Sequence, residues 1–61
     1  MNLYELPKGA KIVCDGISDG SAYIIFDHVD GMYSYCNTEK GNVIHLGAST
    51  ELAKVDDHYI I

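Results

Sequence analysis

Two cysteines, three histidines and nine carboxylates are the side chains of this chain that can do nucleophilic, metal or acid–base chemistry. A thiol nucleophile needs an imidazole within hydrogen-bond reach to take its proton, so Cys36 has to be weighed against His28 and His45. Cys14 would have to approach a histidine across the fold. Two thiols make neither a disulfide framework nor a four-ligand structural zinc site. In a reducing cytosol Cys14 and Cys36 read as small buried hydrophobes. His58 follows Asp56-Asp57 and could supply an imidazole beside carboxylates, but a solvated turn is the simpler account of that triplet.

The segment Asp15-Gly16-Ile17-Ser18-Asp19-Gly20 has acids at the first and fifth positions and glycine at the sixth, as a calcium loop does. It fails at the third position, Ile17, and at the twelfth, Phe26, where a bidentate glutamate is required. Turn chemistry is the simpler account. Asp27 stands apart because it lies inside an apolar run. If turned toward a core it must accept hydrogen bonds from Ser34 or loop amides, reach a rim, or carry a raised pKa.

Whether any of these groups meet depends on the elements that carry them. Turn residues recur at Pro7-Lys8-Gly9, Asp15-Gly16, Asp19-Gly20, Asp30-Gly31, Lys40-Gly41-Asn42, Gly47 and Asp56-Asp57, with runs rich in Val, Ile, Tyr and Phe between them. No apolar pattern of helical period intervenes, so the chain is expected to be mainly β. The expected strands lie near 10–14, 22–29, 32–38, 43–47 and 52–55, with a closing strand over 59–61.

Two reversals predict the register. Asp30-Gly31 between Val29 and Met32 matches a two-residue type I′ hairpin, in which both central residues take positive φ. It would pair Val29 with Met32, Asp27 with Ser34, Ile25 with Cys36, His28 with Tyr33 and Phe26 with Tyr35. Glu39-Lys40-Gly41 matches a three-residue loop with glycine in the left-handed position. It would pair Cys36 with Ile44, Ser34 with Leu46 and Tyr35 with His45.

The resulting antiparallel meander has two faces. Tyr23, Ile25, Val29, Met32, Cys36, Ile44 and Leu46 form the expected core side, interrupted by Asp27 and Ser34. Ile24, Phe26, His28, Tyr33, Tyr35, Asn37, Val43 and His45 form the other. Cys36 is thereby separated from both histidines by the sheet. His28 and His45 fall roughly 12 Å apart on standard strand spacings, too far for one ion to bridge. What remains is a row of amphipathic rings, Phe26, His28, Tyr33, Tyr35 and His45, which either completes the core or forms a recognition surface.

Composition narrows the classes. At 61 residues there is room for one domain spanning residues 1–61, whose small core leaves stability leaning on tight packing, a disulfide or self-association. A hydrophobic content of 48% is incompatible with intrinsic disorder. No apolar run reaches the ~20 residues needed to span a bilayer, and the first residues have neither a basic region nor an apolar stretch, so a cytoplasmic location is expected. The net charge of −5 and the absence of arginine argue against nucleic acid as a partner.

Taken in order, the elements are strand, long loop, strand, tight hairpin, strand, tight hairpin, strand, short turn, strand. With Lys8-Gly9 leading into the first strand, hairpins at Asp30-Gly31 and Lys40-Gly41, and a short turn near Ser49-Thr50, this order resembles the SH3-like small barrels. The resemblance implies a five-stranded SH3-like barrel. The chain departs from signalling SH3 domains in lacking their acidic-aromatic loop, tryptophan and surface prolines, so polyproline binding is not implied. The stretch from Phe26 to Cys36 also resembles short uncharacterised bacteriophage-encoded proteins, which implies a host cytoplasm and no activity.

The expectation that follows is a non-catalytic protein-interaction module without cofactor or metal. It would bind a protein partner, including a second copy of itself as a homo-oligomer, through the aromatic and histidine face or a strand edge. A second reading is an acidic inhibitor or decoy occupying a basic site on a host protein. A third is a small metal- or histidine-dependent enzyme using Asp27, Asp56 or Asp57.

Overall fold

The β-branched and aromatic runs form six strands in a computed structural model that describes all residues, 1–61. They are β1 (Lys11–Val13), β2 (Tyr23–Asp30), β3 (Tyr33–Thr38), β4 (Val43–Ile44), β5 (Ala53–Val55) and β6 (His58–Ile60), preceded by one 3₁₀ turn over Leu3–Glu5. All belong to a single sheet in the order β4-β3-β2-β1-β6-β5. Every neighbouring pair is antiparallel except β1 and β6, which run parallel. The chain is thus mainly β, as its turn spacing predicts. It does not form the five-stranded closed barrel, because β4 and β5 end the sheet unpaired with each other, and the closing strand of 59–61 is inserted beside β1 as β6.

The second hairpin has the predicted register: Cys36 faces Ile44 and Asn37 faces Val43. Gly41 takes φ 89° and its amide donates to Thr38 O at 2.9 Å, so glycine closes the loop in the conformation that L side chains resist. β4 is nevertheless shorter than 43–47. At Ser34 one ladder bond is kept, with Ser34 N donating to Leu46 O (2.8 Å), and the reverse bond is replaced: Leu46 N donates to Ser34 Oγ (3.1 Å), while the Ser34 carbonyl accepts from His45 Nδ1 (2.9 Å). The strand ends where a side chain takes over the backbone's partner.

The first hairpin differs from its predicted register. Tyr33 pairs with Asp30, Ser34 with Val29 and Tyr35 with His28; past a bulge at Asp27, Phe26 pairs with Cys36 and Ile24 with Thr38. The two turn residues are therefore Gly31 and Met32. Gly31 has φ 65°, whereas neither Asp30 nor Met32 has positive φ, which is the sign pattern of a II′ turn. That turn confines the costly backbone conformation to glycine, where a I′ turn would also impose it on Asp30.

The bulge inserts one residue and so exchanges the faces of β2 across it. Ile24 (0% exposed) and Phe26 (4%) point into the core, with Val29 partly buried on the same side beyond Asp27. Tyr23, Ile25 and Met32, expected on the core side, are not part of the core; Met32 stands 82% exposed at the turn. The core consists of Leu3, Leu6, Ala10, Ile12, Ile24, Phe26, Cys36, Leu52 and Tyr59. Leu3 and Leu6 are brought there by the N-terminal turn, whose backbone bonds to residues 48–50 through Leu3 N to Thr50 O (2.9 Å) and Tyr4 N to Ala48 O (3.1 Å). This segment covers the inner side of the sheet and leaves the outer side of β2, β3 and β4 open. No helix is long and apolar enough to cross a membrane.

Candidate functional site

On that outer side, three cross-strand neighbours place three rings in a row. His28 on β2 stacks on Tyr35 on β3, with centroids 4.8 Å apart and planes at 9°. On the far side His45 meets Tyr35 edge-on, at 4.6 Å and 88°. These are the offset and T-shaped arrangements that the ring quadrupole favours. Tyr33, two residues before Tyr35, shares its face because strand side chains alternate. It is 65% exposed and belongs to neither ring pair. Asp30, its partner across the hairpin, completes the rim of a cleft of ≈ 310 Å³ lined by Asp30, Tyr33, Tyr35 and His45.

Both histidines of the row are held through Nδ1. The Ser34 carbonyl can only accept, so His45 donates from Nδ1 and turns Nε2 away from that bond. His28 Nδ1 lies 2.5 Å from Asp27 Oδ2, with Lys8 Nζ 3.4 Å from the other carboxylate oxygen. Asp27 is therefore clamped at the bulge. The bond to His28, aided by the charge of Lys8, outweighs partial desolvation and holds its carboxyl below the usual range. Of the alternatives open for Asp27, a rim position with polar partners is the one found. Ser34 is not its partner, since the Ser34 hydroxyl is engaged with Leu46.

Four of the five predicted face residues, His28, Tyr33, Tyr35 and His45, are brought together. Phe26 is not among them. The bulge turns Phe26 into the core opposite Cys36, which leaves the row one ring shorter and the core one ring larger. Asp30 and Ser34 are the site residues that sequence reasoning missed. For Ser34 the signal was present, because the second hairpin already set it opposite Leu46. For Asp30 it was hidden, because placing Asp30 inside the turn removed it from the face.

The other candidate groups lie elsewhere. Cys36 is fully buried on the inner side and Cys14 is partly buried; both are free thiols. Burial pushes both pKa values up, with Asp15 adding to the effect at Cys14, which is opposite to the activation a nucleophilic thiol requires. His58, the first residue of β6, lies 3.4 Å from Asp57 of the β5–β6 turn. Within 15–20, Asp19 acts as a turn organiser. It accepts from Ser21 N (2.8 Å), Thr38 Oγ1 (2.6 Å) and Asn42 Nδ2 (2.7 Å), and these bonds carry its carboxyl far below the ordinary range. The loop is tied to the β3–β4 hairpin by these hydrogen bonds, with Lys40 Nζ adding one to the Asp19 carbonyl (2.9 Å).

Comparison with protein-family models, curated proteins and solved structures finds no match to this chain.

Proposed function

We propose that this chain is a non-catalytic protein-interaction module that binds through the outer face of β2, β3 and β4, including the free edge of β4. The observation that carries this reading is the contiguity of His28, Tyr33, Tyr35 and His45 beside exposed Met32 and Val43, left uncovered by the N-terminal segment. His28, Tyr35 and His45 are flat, amphipathic and already packed against one another, so they lose little side-chain freedom when a partner covers them, which favours their use as anchors. Self-association belongs to the proposal, since β4 ends the sheet and offers an unpaired edge. The SH3-like resemblance enters as an order of hairpin-linked strands displaying a face, without barrel closure. A cytoplasmic setting, in which Cys14 and Cys36 remain thiols, is part of the same reading.

The acidic-decoy reading is less favoured. Glu5, Asp19, Asp27 and Glu39 each accept a hydrogen bond from the chain's own donors, so these four carboxylates are already engaged within the chain. A photo-crosslinking residue placed at Tyr33 in the native host, with Lys54 on β5 as the control position, tests the proposal. Discrete adducts from Tyr33 and none from Lys54 are expected. Equal labelling from both positions, or none from Tyr33, would reject the outer face as an interaction surface, and light scattering over a concentration series reads self-association separately.

A further inference from the structure

Resting on the outer face as an interaction surface, the chemistry of its cleft identifies the side chain it receives. We infer that the cleft between Asp30 and Tyr33 takes the guanidinium of an arginine from a foreign protein, laid on the Tyr33 ring with its fork on the Asp30 carboxylate.

This chain's own four lysines are all engaged elsewhere. Lys8 pairs with Asp27, Lys40 donates to the Asp19 carbonyl, Lys11 lies 4.5 Å from the Tyr23 ring centre and Lys54 lies 5.9 Å from that of Tyr59. Two tyrosines are thus covered by intrachain lysines, in the cation–π geometry that a tyrosine face attracts. Tyr33 has no such cover, and the Asp30 carboxylate enters none of the fold's ion pairs. An uncovered ring and an unpaired carboxylate on adjacent strands, lining one concave space of ≈ 310 Å³, provide both halves of a site for an organic cation.

Guanidinium fits better than ammonium for two reasons. It is planar and weakly hydrated, so it can lie flat on Tyr33, and its parallel N–H donors match both oxygens of a carboxylate. The rims of Tyr35 and His45 close the far side of the cleft, where the aliphatic stem of the side chain can pack. The net charge of −5 draws a cation toward the whole molecule. Since this chain contains no arginine, a second copy cannot supply the group, and the occupant must be a different protein.

The test uses the full chain and a capped Gly-Arg-Gly peptide, followed by two-dimensional NMR. Saturable shifts centred on Asp30, Tyr33, Tyr35 and His45 are expected, weakening as salt is added. The citrulline peptide, which keeps the planar shape and loses the charge, should bind at least about threefold more weakly, as should the lysine peptide. Asp30→Asn and Tyr33→Leu alter exposed side chains and should each reduce the affinity for the arginine peptide by about threefold or more, with the remaining spectrum unchanged. Equal binding of citrulline or lysine, an unchanged affinity in either variant, or no saturable shift up to the solubility limit would overturn the inference. Adducts at Tyr33 from a partner that docks without arginine would overturn it while leaving the interaction surface intact.

Discussion

Replacing Ile24 by valine removes one methylene from a side chain that is 0% exposed, whereas the same replacement at Ile25 acts on a partly buried neighbour on the opposite side of β2. Both residues are β-branched before and after, so strand propensity and χ1 stiffness largely cancel between the two variants. What differs is burial. A fully buried methylene contributes ~0.8 kcal/mol of transfer free energy, and residual cavity brings the usual loss for Ile→Val to about 0.5–1.5 kcal/mol. For Ile25→Val, with part of the methylene already in water, at most about 0.4 kcal/mol is expected. In a domain of this size 1 kcal/mol corresponds to roughly 4–8 °C in Tm, so Ile24→Val should lower Tm by about 2–12 °C and Ile25→Val by no more than about 3 °C, with Ile24→Val the larger in a paired measurement. Thermal and urea unfolding followed by circular dichroism at one pH measures both, and the urea m-value should not change. The difference originates in the bulge at Asp27, because an unbulged ladder through an Asp30-Gly31 turn would put Ile25 opposite Cys36 and Ile24 outside. A loss at Ile25 equal to or greater than that at Ile24 would refute the bulged register and, with it, the removal of Phe26 from the aromatic row.

Two further outcomes follow from the polar groups. The folded-state pKa of Asp19 is depressed, so its contribution is complete above the ordinary aspartate value near ~4 and is lost as the pH falls below it. Asp19→Asn should therefore lower the urea midpoint at pH 7, flatten the acid limb of the stability profile, and converge with the parent in strong acid; an identical profile for both proteins would contradict the tie between the loop and the hairpin. Cys36, fully buried with a raised pKa, should react with iodoacetamide only along the global unfolding transition, while Cys14 reacts in the folded state but more slowly than a free thiol. Equal rates at the two cysteines under native conditions would show that the inner side of the sheet is open.

Much of the candidate site was legible because a tight reversal leaves few choices of register. Glu39-Lys40-Gly41 set Cys36 against Ile44 and Tyr35 against His45 without knowledge of any other strand, and the sorting of Cys36 away from His45 follows from it. The Asp30-Gly31 reversal was legible as a turn but not as to which two residues occupy it. Types I′ and II′ both accept glycine preceded by aspartate, and they differ by one residue in where the strands resume. Moving the turn by one residue shifts the pairing by two, so β3 and the end of β2 keep their predicted faces, and the one-residue bulge then inverts the first half of β2. Neither Asp27 nor its neighbours mark a bulge locally. Its occurrence depends on Lys8 and His28 meeting the carboxylate, and on Ile24 and Phe26 having a core to fill.

By itself, then, the order of residues determined a mainly β chain, the positions of its two hairpin reversals to within one residue, the register of the second hairpin and the membership of Tyr33, Tyr35, His28 and His45 in one face. These are local properties, carried by alternation with period two and by glycine's tolerance of positive φ. Only the tertiary structure decided that β6 slips in parallel beside β1, that the sheet stays open, that Phe26 turns inward, and that Asp30 comes to the rim beside Tyr33. Each of those outcomes is a competition among distant segments for one small apolar core and for buried hydrogen-bond partners, and no short window of residues contains both competitors.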